Sequence, residues 1–307
     1  MMNPNTLLLV YLKLLLTAIF WGGTFVAGRV LAQNVGPFSA AFLRFAIATV
    51  FLLLFVWKME GKLPLPQKKH LLPATLLGLT GIFAYNIFFF KGLKLIESGR
   101  AATIVANNPI LIALLSAYFF KERLTPLKIA GILISVSGAI IVITRGRVFE
   151  LFQGHIGLGE LYLFGCVASW VTYSLIGKAI MKDLSPLLSV TYSVIIGAAA
   201  LFLPAYSEGV TRDFTGYSVA TWISLVYLGF CGTVLGFVWY YQGIQRIGPT
   251  RAGLFINFVP VSAIVIAAVI LKEPITLSLL IGLIFVSSGV YLTNKPPAQR
   301  IACKDFA

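Results

Sequence analysis

Ten apolar runs, each of about 20 residues and separated by short polar connections, occupy most of this chain. A helix needs about 20 consecutive apolar residues to cross the hydrocarbon core of a bilayer. Of the 307 residues, 59% are hydrophobic and 11% are charged, whereas about a quarter of a soluble domain is charged. These values exclude a soluble enzyme, a disordered chain and a small disulfide scaffold. Ten spans use roughly 200 residues, which leaves no room for a separate soluble domain.

The runs predict an all-α integral membrane protein, because a span in lipid must satisfy its own backbone hydrogen bonds. We expect the first run to be retained as a span, since its apolar residues continue without the small-residue cleavage site of a signal peptide. The ten predicted transmembrane helices cover residues 7–31, 37–57, 71–93, 100–120, 126–144, 157–181, 186–206, 217–242, 249–271 and 275–293.

The chain contains an internal duplication. Trp21 and Trp170 are 149 residues apart, and so are Pro37 and Pro186. Further along, the offset becomes 151, and it relates residue types that chance would not readily place together. These pairs are Gly81 and Gly232, Arg100 and Arg251, Pro109 and Pro260, Lys121-Glu122 and Lys272-Glu273, and Gly138 and Gly289. The sequence therefore predicts two five-helix repeats, over residues 1–148 and 149–307, and because five is odd the second repeat is inverted.

The net charge of +14 is explained by membrane topology. Cytoplasmic loops of membrane proteins carry an excess of Lys and Arg. With the N-terminus inside, roughly fifteen basic residues fall on the cytoplasmic side and roughly eight on the outer side, so we expect both termini in the cytoplasm. No basic run is long enough to follow a phosphate backbone, so nucleic acid is not an expected partner. The three scattered cysteines resemble neither a disulfide framework nor a metal site.

Several stretches resemble the EamA-type transporters of the drug/metabolite transporter superfamily. They are Phe20-Trp21-Gly22-Gly23, the stretch from Pro37 to Arg44-Phe45, and two copies of a Pro, Lys-Glu, Thr, Gly, Gly pattern that begin at Pro109 and Pro260. The resemblance covers about residues 10 to 293. It implies ten helices in two inverted repeats, and transport of small metabolites, often amino acids and usually outward. We expect the protein in the inner (cytoplasmic) membrane.

The expected function is therefore a secondary transporter that exports small metabolites such as amino acids, by alternating access between the two repeats. Its partners would be a small-molecule substrate and the lipid bilayer. A passive facilitator or channel for small polar solutes is the alternative, although nothing in the sequence resembles a selectivity filter. An enzyme is not expected, because the spans contain no Ser/His/Asp set, no HExxH motif and no acid pair. No cofactor is expected, and no Walker-type loop is present to use ATP.

The expected substrate site is a central cavity formed by spans one to four and six to nine. Pro109 and Pro260 interrupt the fourth and ninth spans, and each frees a backbone carbonyl, at Val105 and Ile256. Asparagines lie close to these interruptions, where unpaired amides are costly in hydrocarbon; simple kinks with asparagines that only join helices are the alternative. Aromatic side chains would form the walls. The substrate-binding candidates are Trp21, Thr24, Tyr85, Asn86, Asn107, Trp170, Tyr173, Trp239, Gln242 and Asn257.

The ionisable residues give a second set of expectations. None of the ten acids lies in the middle of a predicted span, so coupling through a buried carboxylate is not expected. Glu122 and Glu273 lie at span ends, where we expect each to pair with an arginine or with backbone groups. Arg44 lies well inside a span; a substrate-carboxylate anchor is one interpretation, and a structural side chain is the favoured one. His70 and His155 are expected in solvated loops.

The fifth and tenth spans carry small residues, which allow helices to approach closely. We expect these spans to act as scaffold or to form dimer contacts, so a homodimer stays open. The residues concerned are Gly131, Ser135, Ser137, Gly138, Gly282, Ser287, Ser288 and Gly289.

Overall fold

The computed structural model describes residues 4–61, 67–108, 110–111, 125–147, 157–180, 184–247 and 255–294. All regular secondary structure within these ranges is helical. In the described part of the chain, five helices are long and apolar enough to cross a membrane: Leu7–Asn34, Pro37–Met59, Lys68–Leu95, Leu187–Glu208 and Val219–Tyr240. Shorter apolar helices cover Pro126–Val142, Phe258–Ile270 and Leu277–Leu292.

Each of the ten predicted spans overlaps at least one helix. In the first half these are α1 (Pro4–Asn34), α2 (Pro37–Glu60), α3 (Lys68–Leu77), α4 (Tyr85–Leu95), α5 (Ser98–Val105) and α6 (Pro126–Ile143). In the second half they are α7 (Leu158–Ile180), α8 (Pro186–Glu208), α10 (Val219–Val226), α11 (Gly236–Ile247), α12 (Phe258–Ile270) and α13 (Leu277–Asn294), and the short helix α9 (Val210–Asp213) lies between the seventh and eighth predicted spans. Short 3₁₀ turns cover Phe214–Gly216 and Phe255–Asn257.

Local sequence explains several helix ends. Pro37, Pro126 and Pro186 occupy the first turns of α2, α6 and α8, where the missing N–H costs no intrahelical bond. The Thr125 hydroxyl accepts a hydrogen bond from the Lys128 amide at 3.3 Å, and the Ser185 hydroxyl caps α8 in the same way. The third and eighth spans differ from these, because in each of them one α-helix continues into the next through a segment of another helical geometry.

Two π-helical segments lie within the third and eighth predicted spans. The first π segment, Gly78–Ala84, joins α3 to α4, and the second, Tyr227–Leu235, joins α10 to α11. Adding the offset of 151 to residues 78–84 gives 229–235, so the two segments occupy repeat-related positions. Such segments are rare and frequently mark functional sites. The sequence predicts helices here but not their π geometry, because hydrophobic periodicity does not report a local widening of the turn.

The helices pack in repeat-related pairs. Helix α2 packs along α8, α6 along α13, α1 along α12 and α11, and α7 along α5 and α4. The α6–α13 contact is very close: a Cβ added at Gly289 would lie against the Gly131 carbonyl and 2.5 Å from the Ser135 amide nitrogen. The small residues of the fifth and tenth spans thus allow the close approach expected of them, and their role as scaffold or dimer contact stays a prediction.

One prediction about a histidine is wrong. His70 lies in the first turn of α3 and is only 6% exposed, rather than in a solvated loop. Its helix begins three residues before the predicted span, which brings the ring into the bundle. His155 lies outside the described residues.

Candidate functional site

A row of aromatic side chains crosses from one half of the chain to the other. The Trp21 ring centroid lies 5.7 Å from that of Phe237, Phe237 lies 6.2 Å from Trp170, and Trp170 lies 5.3 Å from Tyr85. Tyr240 extends the row, at 5.3 Å from Trp21. We call these five residues the aromatic row. It brings together three of the predicted site residues, Trp21, Tyr85 and Trp170, between α1, α4, α7 and α11.

The second π segment holds Trp21 in place. The Trp21 indole N–H donates to the Gly232 carbonyl at 2.9 Å, across the two halves of the chain. A Cβ added at Gly236 would lie 2.5 Å from the indole nitrogen, so only glycine leaves room for this ring. Residue 85 is related to residue 236 by the offset of 151, and it is the tyrosine that contacts Trp170. The two tryptophans therefore occupy related positions with different neighbours.

Thr24 and Tyr173 are also related, by the offset of 149, and each packs on a glycine of a π segment. The Thr24 methyl lies against Gly232, and the Tyr173 ring lies against Gly81. The Thr24 hydroxyl donates to the Trp21 carbonyl at 2.6 Å. Tyr173 stacks beside Trp170 and hydrogen-bonds the Ser193 side chain. Both predicted residues thus lie next to the aromatic row, with their polar groups engaged by the protein.

A buried guanidinium joins the two halves behind Tyr85. Arg44 is 8% exposed, and its Nη1 donates to the Asn86 Oδ1 at 2.9 Å. Its Nε and Nη2 each lie 3.4 Å from the Thr233 Oγ1, a longer and weaker contact. Among the described residues, no carboxylate forms an ion pair with it. These hydrogen bonds favour the structural interpretation of Arg44.

The π segments orient both acceptors of this network. The Asn86 amide nitrogen donates to the Ile82 carbonyl at 2.8 Å, which turns its oxygen towards Arg44. The Thr233 hydroxyl donates to the Leu228 carbonyl at 2.9 Å, which leaves a lone pair for Arg44. Asn86 belongs to the predicted site set, whereas Thr233 does not. A hydroxyl one residue after Gly232 is the signal that would have found it.

Asn107 lies at an end of α5 but is engaged by other helices. Helix α5 ends at Val105, as the prediction of a broken fourth span requires, and Pro109 lies outside the described residues. The Asn107 Oδ1 accepts from the Ser135 hydroxyl at 2.8 Å, and its amide nitrogen donates to the Thr103 and Ile104 carbonyls. Its polar groups thus join α5 to α6, which favours the helix-joining alternative.

Trp239 and Gln242 have partners outside the aromatic row. Trp239 stacks on Phe20, with ring centroids 5.7 Å apart. The Gln242 side chain accepts from the Lys13 ammonium at 3.0 Å, beside a part of α1 that precedes Trp21 by about two turns. Asn257 ends a 3₁₀ turn just before α12, and its side chain lies outside the described residues.

Asn108 is a site candidate that the prediction omitted. Its side chain is 9% exposed, and its Oδ1 has no hydrogen-bond partner among the described residues. An unpaired buried carbonyl costs about 1–3 kcal/mol. Asn108 follows Asn107 directly, so of two adjacent amides one is engaged and the other has a carbonyl without a partner in the described part of the chain.

One end of the bundle is closed by carboxylates of the second half. Glu273 lies 3.3 Å from the Arg29 Nε and accepts from the Ser98 and Gly99 amides that begin α5. The expectation that Glu273 pairs with an arginine or with backbone groups is confirmed. Glu122 lies outside the described residues.

Two further acids act at the same end. Glu160 binds Arg100, with Oε1 3.2 Å from Nη2, and Glu208 accepts from the Ser39 amide at the start of α2. All three carboxylates belong to the second half, and all their partners belong to the first. These contacts therefore hold the two halves together at this end.

Comparisons with known proteins find transporters of similar sequence. An "Uncharacterized transporter YyaM" of Bacillus subtilis is 31% identical over 281 residues, covering 92% of each chain. A "Probable terminal-alkyne amino-acid exporter" of Streptantibioticus cattleyicolor is 29% identical, covering 94% of each chain. A "Probable amino-acid metabolite efflux pump" of Salmonella typhimurium is 27% identical, covering 91% of this chain and 92% of the relative.

A solved crystal structure shares the fold. Its TM-score is 0.62 at 20% identity, over 91% of this chain and 95% of the other. The family model matches twice, at residues 8–144 and 157–295, one match in each half of the chain. The apolar helices and the transporter relatives identify a multi-pass membrane protein. From both matches together, the chain belongs to the EamA-like transporter family.

Proposed function

We propose that this protein is a secondary transporter that exports small metabolites such as amino acids across the inner membrane. It would work by alternating access between two inverted five-helix repeats, over residues 1–148 and 149–307, with ten spans and both termini in the cytoplasm. The observation that carries the proposal is the aromatic row, which crosses between the halves beside two π segments at related positions. The names of two relatives, an amino-acid exporter and an amino-acid metabolite efflux pump, support the substrate class.

The proposed substrate position lies along the aromatic row. Its rings contact each other directly, so a solute that enters there must separate Phe237 from Trp21 or from Trp170. Flat aromatic walls supply apolar area, while a few polar groups orient the solute. The Asn108 carbonyl, which has no partner among the described residues, is the candidate for a polar contact, whereas the Asn86 side chain is engaged by Arg44 and by the Ile82 carbonyl. Thr24 and Tyr173 would support the walls rather than touch the solute, because their polar groups are engaged.

The closed end supports an alternating mechanism. Glu160, Glu208 and Glu273 hold the halves together there, and opening that end to the solvent would break these contacts. In the proposed topology this is the outer end. An open channel, one form of the passive alternative, would need both ends open together, and the contacts at this end disfavour such a pore.

The test begins with an untargeted comparison of extracellular metabolites from cells with and without overexpression. Export of the metabolite that accumulates is then measured in two variants. Trp170→Ala interrupts the aromatic row between Phe237 and Tyr85, and Trp222→Ala is the matched control. Trp222 packs on Phe214 and Tyr217, away from the row. We expect export to fall at least tenfold in Trp170→Ala and to persist in Trp222→Ala, at equal membrane expression.

Two outcomes contradict the proposal in different ways. Equal export by both variants would remove the aromatic row from the substrate pathway. In reconstituted vesicles with an imposed ion gradient, a substrate concentration that never becomes higher on the receiving side than on the supplying side would favour the passive facilitator.

A further inference from the structure

A groove at the carboxylate-closed end of the bundle lies outside the proposed substrate pathway. It has a volume of about 270 Å³ and lies where α1, α4 and α7 meet the start of α2. Val35, Phe90, Leu158 and Tyr162 form much of its apolar lining, and Lys91 and Lys94 supply its charges. We call it the lysine groove. The groove combines an apolar lining with positive charge at a helix end.

Within the described part of the chain, neither ammonium group of the lysine groove forms an ion pair. No carboxylate is among the lining residues. Three acids of this end have other partners: Glu160 pairs with Arg100, Glu273 pairs with Arg29, and Glu208 accepts from the first amides of α2. The positive charge of the groove therefore has no acidic partner among the described residues.

Aromatic rings hold one ammonium at the groove. The Lys91 Nζ lies 5.6 Å from the ring centroid of Tyr162 and 6.0 Å from that of Phe38, both within reach of a cation–π interaction. Tyrosine and lysine side chains at the ends of membrane helices lie at the level of the lipid headgroups. In the proposed topology, both lysines would therefore be at the level of the outer headgroups.

The repeat does not require these charges. With the offset of 151, Lys91 corresponds to Gln242 and Lys94 to Gln245. In the proposed topology the lysines are on the outer side, where basic residues are disfavoured. Lys91 and Lys94 are thus required neither by the repeat nor by the charge bias of the topology, which indicates a local anionic partner.

We propose that the lysine groove binds one anionic phospholipid. The headgroup phosphate lies between Lys91 and Lys94, and an acyl chain follows the apolar wall of Val35, Phe90 and Leu158. Free phosphate shares the charge of the headgroup but gains nothing from this wall, so the lipid is the ligand. Basic pockets between membrane helices bind anionic lipids by the same combination of charge and apolar contact.

The experiment measures lipid binding by native mass spectrometry of the purified full chain in detergent. The probes are phosphatidylglycerol, phosphatidylcholine with the same acyl chains, and sn-glycerol 3-phosphate as the soluble competitor. We expect one phosphatidylglycerol to bind in preference to phosphatidylcholine, and the soluble phosphate not to displace it. Lys91→Gln/Lys94→Gln should lose about tenfold in phosphatidylglycerol affinity, because each lysine near a headgroup attracts the anion.

Two variants separate this site from general charge attraction. Lys58→Gln/Lys128→Gln removes one exposed and one half-buried lysine, as the test variant does, but neither residue lines the groove. It should bind phosphatidylglycerol as the parent does. Leu158→Trp fills the groove with no change of charge and should also weaken binding.

Three results would overturn the proposal. They are an unchanged affinity in Lys91→Gln/Lys94→Gln, an equal loss in the control pair, and displacement by sn-glycerol 3-phosphate. Lipid binding is measured without transport, so it succeeds or fails independently of the proposed export.

Discussion

At the scale of single residues, burial and pairing separate side chains that look alike in the sequence. Asn86 orients a buried guanidinium, Asn107 joins α5 to α6, and the Asn108 carbonyl finds no partner among the residues that the structure describes. Asn34 is exposed and bonds only to its own helix, through the Val30 carbonyl. The same amide therefore has four different energetic roles in one chain.

We expect Asn86→Ala to destabilise the fold by about 2 kcal/mol, because it leaves a buried Arg44 N–H without its acceptor. The free energy of unfolding is measured by SDS titration in mixed micelles. Asn34→Ala is the control and should change stability by less than about 0.5 kcal/mol. Equal stability of the two variants would show that Arg44 finds another acceptor.

At the scale of helices, close approach decides which spans form the scaffold. Helices α6 and α13 meet through glycines and serines, and each backbone fits against the other. In the π segments, glycines instead allow aromatic side chains to approach the backbone: Gly232 contacts the Trp21 indole, and Gly81 contacts the Tyr173 ring. Small residues thus serve packing in one pair of helices and the candidate site in another.

We expect Gly289→Ala to lower the free energy of unfolding by about 1–3 kcal/mol, since its Cβ would meet backbone atoms of α6 that cannot move away cheaply. Gly216→Ala is the matched control, because an added Cβ there meets nothing within 4 Å. SDS unfolding of both variants is the measurement. A stable Gly289→Ala would mean that α6 and α13 separate without cost.

At the scale of the whole molecule, the carboxylate contacts join the two halves at one end. Glu273 has two kinds of partner there, the Arg29 guanidinium and the first amides of α5. A helix N-terminus carries partial positive charge, so both partners favour an anion at this position. The contact between the halves at this end therefore depends on the negative charge of Glu273 at the start of α5 as well as on its ion pair with Arg29.

We expect a double-mutant cycle of Arg29→Gln and Glu273→Gln to give a coupling of about 1 kcal/mol, modest because the side chains are 25% and 11% exposed. The charge swap Arg29→Glu/Glu273→Arg should not restore stability, since an arginine cannot accept from the Ser98 and Gly99 amides. Unfolding of the four variants measures both. Full rescue by the swap would show that the ion pair alone closes this end.

Topology is a second prediction at this scale. A reporter fused after Lys295 should behave as cytoplasmic, because the basic residues favour that side for both termini. Fusions to alkaline phosphatase and to a fluorescent protein give opposite signals on the two sides. Phosphatase activity at this fusion point would reverse the proposed orientation.

The sequence alone determined the helical class, the order of the helices and the duplication. Lipid leaves an isolated backbone segment little choice but a helix, so apolar length was enough to predict where helices lie. The offsets of 149 and 151 also related Trp21 to Trp170 and the two π segments to each other. These features depend on residues close in the chain or on the numbering itself.

Only the tertiary structure decided which aromatic and polar side chains meet. Phe237 joins the aromatic row while Trp239, two residues later, faces Phe20, and Asn107 turns to Ser135. Such choices depend on how each helix is rotated about its axis. One extra residue in a π turn rotates everything beyond it by about 100°, since an α-helix has 3.6 residues per turn. Hydrophobic patterning does not record that rotation. The candidate site therefore contains only some of the predicted residues, together with Phe237 and Thr233, which the sequence did not indicate.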